Sequence, residues 1–298
     1  MIHMIHKSVL LQEVISGLDP KSSDIFVDGT INGGGHSEEI AKIAPGITIV
    51  GLDMDEDALA RCAIRMEGTK AGVHLVNINF RAIDRALDGL HIHNANKILL
   101  DLGLSSNQLE ESGRGFSFQK SEPLLMSFKK NPSETDLTAK DILNNWDEEN
   151  IAQVIWSYGE ERRSRAMAKE IVSAREKKSI ETTNDVVRIL DEAGFKRQGG
   201  KIHPATKVFQ ALRITVNDEI GALKEGLDKG FERLAPEGRM AVISFHSLED
   251  RIIKNKFKEL EKSGKAKIIT KKPIVPSEAE LKENPRSRSA KLRIIQKI

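Results

Sequence analysis

The chain has 298 residues, 46 Lys and Arg against 44 Asp and Glu, 39% hydrophobic and 30% charged content. That is ordinary for a globular protein, and long enough for one large α/β domain with an insertion or for two domains. No apolar run reaches the roughly 20 residues of a membrane span, and the N-terminus lacks a signal-peptide layout. Cys62 is the sole cysteine, which excludes intrachain disulfides and cysteine-rich metal sites and fits a reducing, cytoplasmic setting.

In chain order, a short apolar run (Ile25 to Val27) ends in Asp28 and a loop carrying Gly29, Gly33, Gly34 and Gly35. A helical pattern from Ser37 to Ile43 leads to a second β-rich run, Ile47 to Leu52, which closes on Asp53. Strand, glycine loop, helix, strand, acid is the first half of a nucleotide-binding βαβ unit, with the acid spaced to grip ribose hydroxyls. The loop does not contain G-x-G-x-x-G, as a nicotinamide or flavin site would. Asp28 at its mouth would repel a pyrophosphate and suits a ligand bearing an ammonium and a sulfonium, S-adenosylmethionine. The competing reading is that Asp28 only caps the glycine turn.

A helix over Glu56 to Met66, a third strand near Val73 to Ile78 followed by Phe80, and a fourth strand, Lys97 to Leu100, ending in Asp101 continue the alternation. Ligands of open α/β sheets bind beyond the carboxyl ends of the strands. Asp28, Asp53, Phe80 and Asp101 are therefore expected at one edge. His91 and His93, without a third ligand, read as loop residues, so no metal site is expected. Cys62, on the helix after Asp53, reads as a buried structural thiol, which excludes the cysteine-dependent chemistry of ring-carbon methylation.

From about residue 107 to 202 the alternation stops, and helices take over. Thr138 with Asp141 and Thr182 with Asp185 have the spacing of capping boxes. Ile151, Val154, Ile155 and Tyr158 form one apolar face. This stretch is expected to be a helical insertion after strand four, the substrate-recognising part, leaving 1–106 and 203–298 as a discontinuous core. The core resumes with a long helical region from Thr206 to about Leu234, a Pro236-Glu237-Gly238 turn and strand five, Met240 to Ser244. A helix from Leu248 to Leu260 and two β-rich pieces (Lys267 to Thr270, Leu292 to Gln296) close the chain as an edge hairpin. Charge is uneven: residues 251–298 hold 15 Lys and Arg against 5 acids, a net +10, while residues 1–250 carry −8. A basic tail on an acidic body suits a polyanion, and a solvated terminus explains the charge equally well.

Several motifs then occur together and in order: GTINGGGHS, DLGLSSNQL, RGFSF, LTAKDILNNW, HPATKVFQALRITVNDE, ISFHSLEDR, KPIVPS and NPRSRSAKLR. Nearly end to end, the chain resembles the bacterial 16S ribosomal RNA (cytosine-N4)-methyltransferases, the MraW family. The resemblance implies a class I, Rossmann-like methyltransferase core with a mostly parallel seven-stranded sheet and a helical insert. It also implies methylation of the exocyclic amine of a decoding-centre cytidine in small-subunit RNA, with S-adenosylmethionine as donor. Donor contacts carried over by motif are Gly34, Gly35, His36, Asp53, Phe80, Asp101 and Gln108. Where members of the family carry PLDMRMD after RGFSF, this chain has Pro123-Leu124-Leu125-Met126-Ser127-Phe128-Lys129, so two acids and an arginine are missing.

Asp101 is the candidate acceptor for the amine's proton; the [DNS]-P-P-[YF] motif of many amino-group methyltransferases is absent, as the chain holds no Pro-Pro. Phe116 and Phe118 are candidate stacking partners for an extruded base, with packing of the insert as their alternative. His246 is a candidate substrate contact. Arg286, Arg288, Lys291 and Arg293 are candidate phosphate contacts. No G-x-S-x-G elbow supports a hydrolase. The competing functions are an RNA-binding assembly factor without catalysis and a nicotinamide-dependent oxidoreductase. Small-subunit RNA is the expected partner; a homodimer is compatible with the sequence, and no other protein partner is evident from it.

Overall fold

The computed structural model describes residues 8–196 and 203–298, which form two compact units: the chain up to Gly103 together with Ile220–Ile298, and Leu104–Glu219. In the first unit, α1 (Leu11–Leu18), β1 (Ile25–Asp28), α2 (Gly35–Ile43), β2 (Thr48–Asp53), α3 (Glu56–Met66), β3 (Gly72–Asn77), α4 (Ile83–Gly89) and β4 (Ala95–Asp101) follow in order. The second unit supplies α5 (Ser106–Glu110), α6 (Ala139–Asn145), α7 (Glu148–Gly159), α8 (Ser164–Arg175), α9 (Thr183–Glu192) and α10 (Pro204–Asn217). The chain then continues through α11 (Glu219–Glu232), β5 (Leu234–Ser244), α12 (Ser247–Lys262), β6 (Ala266–Ile268), α13 (Glu278–Glu283) and β7 (Lys291–Lys297).

The seven strands lie in the order β3-β2-β1-β4-β5-β7-β6. All pairings from β3 to β5 are parallel, and β7 runs antiparallel to both β5 and β6. The strands are apolar on both faces because helices cover both. Val27, Val50, Ile98, Leu100 and Val242 pack with Leu223, Leu227 and Phe231 of α11 and Ile253 and Phe257 of α12. Their neighbours Phe26, Ile49, Leu99, Ala241 and Ile243 face the other way, onto Val14 and Leu18 of α1, Ile40 of α2 and Cys62 and Met66 of α3. That two-residue alternation makes a three-layer α/β/α core. Chain order reverses between β1 and β4, the topological switch point where such sheets bind ligands.

Three sequence expectations change in the structure. The long helical region breaks in two at Asp218, whose φ of 46° is left-handed and ends α10. Pro236-Glu237-Gly238 is not a turn before β5 but lies within it, where the register against β4 shifts and Glu237 takes φ 60°; this is bulge geometry. The unit boundary falls at Ile220 rather than 203, since α10 buries Ala205, Val208, Phe209 and Leu212 in the core of the helical unit. That core also takes Ile142, Ile151, Ile155, Met167, Ile171, Val186 and Leu190, one apolar stripe from each helix. Both anticipated capping boxes are present: Thr138 and Thr182 accept from the amides of Asp141 and Asp185.

Candidate functional site

The loop after β1 is short, so it stays close to the strand ends. Gly29 N–H donates to the Leu99 carbonyl of β4 at 2.9 Å and Ile31 N–H to the Leu52 carbonyl of β2 at 3.0 Å, which pins the loop over both neighbours. Thr30 Oγ1 accepts the backbone N–H of Asp101 at 2.6 Å. Asn32, held at a left-handed φ of 49°, aims its N–H at Asp53 Oδ2, 2.9 Å away. The other Asp53 oxygen accepts from Asp55 N at 2.9 Å. The carboxylates after β1, β2 and β4 are thus tied into one loop system by backbone donors.

The glycines divide by role. Gly34 (φ 77°) caps α2, and a Cβ there would lie 2.7 Å from Cys62 Sγ. A Cβ on Gly35 would lie 2.3 Å from Ser8 Oγ. Both are needed for close packing of the chain on itself. Gly33 has no atom within 4 Å of that position; it is the glycine that leaves open space for a ligand.

Asp28 is buried, accepting Ser37 Oγ–H at 2.7 Å and Thr30 N–H at 3.3 Å. The turn-capping reading is therefore correct for its oxygens, and its charge still bears on the site. Burial pushes its pKa up to about 6, against lowering by His36, Ser37 and Thr30, and Asp101 raises it further. Burial likewise raises Asp53 to about 6 despite its backbone donors. Asp101 is pushed up to about 7 by burial, opposed by the Gly103 N–H 3.2 Å from Oδ1 and reinforced by Glu249. Among the described residues no Lys or Arg pairs with any of the three. Their one basic neighbour is His36, whose Nδ1 lies 3.9 Å from Asp101 Oδ2. His36 Nε2 is 2.9 Å from the Val9 carbonyl, which can only accept, so Nε2 carries the proton. Burial lowers the pKa of this ring, against the raising effect of Asp28. Among the described residues no Lys or Arg balances the negative potential of this edge, a donor set that fits a positively charged ligand and opposes a phosphate.

Phe80 opens a short 3-10 turn after β3, where Asn79 caps it. Its ring packs on α11, 2.4 Å from where a Gly226 Cβ would stand, and its Cβ is 3.1 Å from that of a substituted Gly29. Beyond β5, His246 caps α12 in a capping box with Glu249. Glu249 is buried and accepts from Phe245 N at 2.8 Å and His246 N at 3.2 Å. His246 Nε2 is 3.0 Å from Glu249 Oε1 but lies outside hydrogen-bonding geometry, a buried ring nitrogen without a partner. Glu249, Thr30 and Asn32 escaped the sequence reading. Of these only Glu249 had a signal, an acid three residues after a capping side chain.

In the helical unit, Gln108 is buried and closes a capping box, its Oε1 accepting from Ser105 N at 2.9 Å. Phe116 is only 7% exposed; its ring stacks on Phe128 at 5.7 Å, with the Arg114 guanidinium 5.4 Å from its centre. The segment that departs from the family pattern serves this packing: Met126 is fully buried, and Asn217 brackets the strand-like stretch through Phe128 N and the Met126 carbonyl. Phe118 is half-buried, edge-on to Phe209 at 5.1 Å and 5.8 Å from His203. At the C-terminus the basic residues separate. Arg293 and Lys291 are engaged by Asp250, at 2.7 and 3.4 Å, as part of β7. Arg286 and Arg288 are exposed on the 3-10 turn Pro285–Ser289. The tail is most of α12, the strands β6 and β7, α13 and a 3-10 turn, not a solvated extension.

The sequence profile of the MraW methylase family matches residues 3–298. The chain belongs to that family. Ribosomal RNA small subunit methyltransferase H of Heliobacterium mobile is 45% identical across 98% of this chain and 99% of its own length. The protein of the same name from Brevibacillus brevis is 43% identical, over 98% of both chains. A Streptococcus mutans protein solved in complex with SAH matches 99% of this chain and all of its own at 13% identity, with a TM-score of 0.45. Members of the MraW methylase family are S-adenosylmethionine-dependent methyltransferases, and the nicotinamide reading falls with that membership.

Proposed function

We propose that this methyltransferase acts on the exocyclic N4 amine of a decoding-centre cytidine in 16S ribosomal RNA. The observation that carries the reading is the set of desolvated, cation-free carboxylates at the strand ends, in a chain 45% identical to a small-subunit ribosomal RNA methyltransferase. S-adenosylmethionine, when bound, supplies an electrophilic methyl on a sulfonium. Within the first unit, Gly34, Gly35 and His36 would line its site, Asp53 would hold the ribose, and Phe80 would complete the contacts carried over by motif.

The cytosine amine is a weak nucleophile because its lone pair is delocalised into the ring. Asp101 accepts a hydrogen bond from that amine and stabilises the ammonium character that develops on it. Orientation of the base supplies much of the remaining acceleration. An Asp101 pKa of about 7 is matched to this work, since an acceptor near the operating pH is available as the carboxylate and is still basic. His246, with its unpartnered Nε2, contacts the base, while Arg286 and Arg288 take phosphates of the substrate RNA. The helical unit recognises the RNA.

Incubation with labelled donor and hypomethylated 30S subunits, followed by mapping of the labelled nucleotide, tests the proposal. A single labelled cytidine N4 in 16S RNA is expected; label on a ring carbon, a ribose or another RNA overturns it. A calorimetric titration with donor or its demethylated product should show binding, and none should be seen with NAD.

A further inference from the structure

The helical unit carries an open groove of about 960 Å³ between α7 and the start of α8, with Trp156, Arg162, Arg163, Arg165, Glu148 and Glu149 on its walls. Trp156 is one of only two tryptophans and is 54% exposed, on the face of α7 opposite the buried Ile151, Val154 and Ile155. Arg163 is fixed in place: its guanidinium lies 4.8 Å over the Phe195 ring, and its Nε is 3.6 Å from Glu161, which Lys207 also engages at 3.2 Å. Arg162 and Arg165 are exposed, and neither makes an ion pair among the described residues. The two glutamates occupy the first turn of α7, on the same helix as Trp156.

We propose that this groove seats an unpaired nucleotide of the RNA, its base stacked on Trp156 and its flanking phosphates on Arg162 and Arg165. The inference rests on the RNA reading above and adds a second contact region, separate from the residues assigned there. An exposed indole beside free guanidinium groups is the chemistry of a single-strand platform, since every base offers a π face and every linkage an anion. Glu148 and Glu149 repel phosphate, which orients the strand with its backbone on the arginine wall. They also accept hydrogen bonds from exocyclic amines, so bases bearing an amine are favoured over uracil. A protein partner would need a larger apolar surface than one indole.

The test uses the full chain with a fluorescein-labelled, ten-nucleotide single-stranded RNA of mixed sequence. Trp156→Ala should weaken binding by at least about fivefold, with Trp156→Phe keeping most of it. Arg162→Ala with Arg165→Ala should reduce the salt slope of log affinity by about 1.4, two phosphate contacts on a single strand. In a Trp146→Phe background, the RNA should quench the fluorescence that remains, which is Trp156's. Circular dichroism checks folding of each variant, and donor titration checks the first unit separately. Affinities of the alanine variants within twofold of the parent, or no quenching, overturn the groove while leaving methylation intact. Loss of RNA affinity in these variants with no methylation by the parent upholds the groove and overturns the reaction.

Discussion

Two sets of carboxylates, one at the strand ends of the first unit and one in the second unit, are treated in opposite ways. In the first, Asp28, Asp53 and Asp101 are raised to about 6, 6 and 7, burial being the main cause in each. In the second, Asp136, Glu161, Glu181 and Asp185 are all lowered: Lys129 holds Asp136 near 2, and Lys140 lowers Glu181. At Glu161 and Asp185 some burial raises the pKa, outweighed by hydrogen bonds from Arg163 and Lys207 or from Thr182. Acids that finish helices and salt links are stabilised as charges. Acids desolvated at the strand ends keep a free-energy cost that protonation or a cationic ligand relieves. The contrast separates the strand-end acids of the first unit from charge-paired acids, which occur in both units; Asp250, lowered beside Arg293, is the first unit's example.

The strongest way to probe this difference compares two glycines. Gly34→Ala meets both a left-handed φ of 77° and Cys62 Sγ at 2.7 Å, whereas Gly113→Ala meets φ 65° with open space around it. Denaturant melts should give losses of about 3 and about 1 kcal/mol respectively. Equal losses would mean that the loop over Cys62 is no tighter than a surface turn. Asp101→Asn is expected to cut turnover at least about tenfold, near 1.4 kcal/mol of barrier, with the fold retained. In the second unit, Asp136→Asn should leave turnover unchanged. Near-parental turnover in Asp101→Asn would remove its role.

Smaller effects follow from protons. A carboxyl raised in the folded state binds its proton more tightly than in the unfolded chain. Its stabilising contribution is complete below about pH 3.8 and is lost as pH rises through about 7 for Asp101. The melting temperature of Asp101→Asn should therefore match or exceed the parent at pH 8, and the gap should narrow as pH falls from about 7 towards 4. Because a cationic ligand lowers these pKa values, donor binding near pH 6.5 should release protons, seen as a buffer-dependent calorimetric enthalpy; proton uptake would contradict the cation-free edge. Last and smallest, burial pushes the Cys62 thiol up to about 12, so a thiol reagent should label it only as fast as the chain unfolds.

The fold was legible where local pattern and tertiary demand agree. The parallel strands β1 to β4 lie within two residues of their expected bounds, whereas β5 begins six residues before the expected Met240. Capping boxes at Thr138 and Thr182 were readable because both partners are three residues apart. Less legible was anything decided across the chain: α10 joining the helical unit, Pro236–Gly238 within a strand, and α1 beneath the sheet.

The sequence by itself determined the strand–glycine–acid order, the helical insertion and the family, because hydrophobic period, turn chemistry and motif order are local properties of the chain. Tertiary structure alone decided which of those residues are available for chemistry. It buried Phe116 against Phe128, spent Lys291 and Arg293 on Asp250, and filled the space over Gly34 and Gly35 with Cys62 and Ser8. It also brought Glu249 to bear on Asp101 from another strand end. Availability depends on desolvation and on partners distant in sequence, and neither is written at the position it governs.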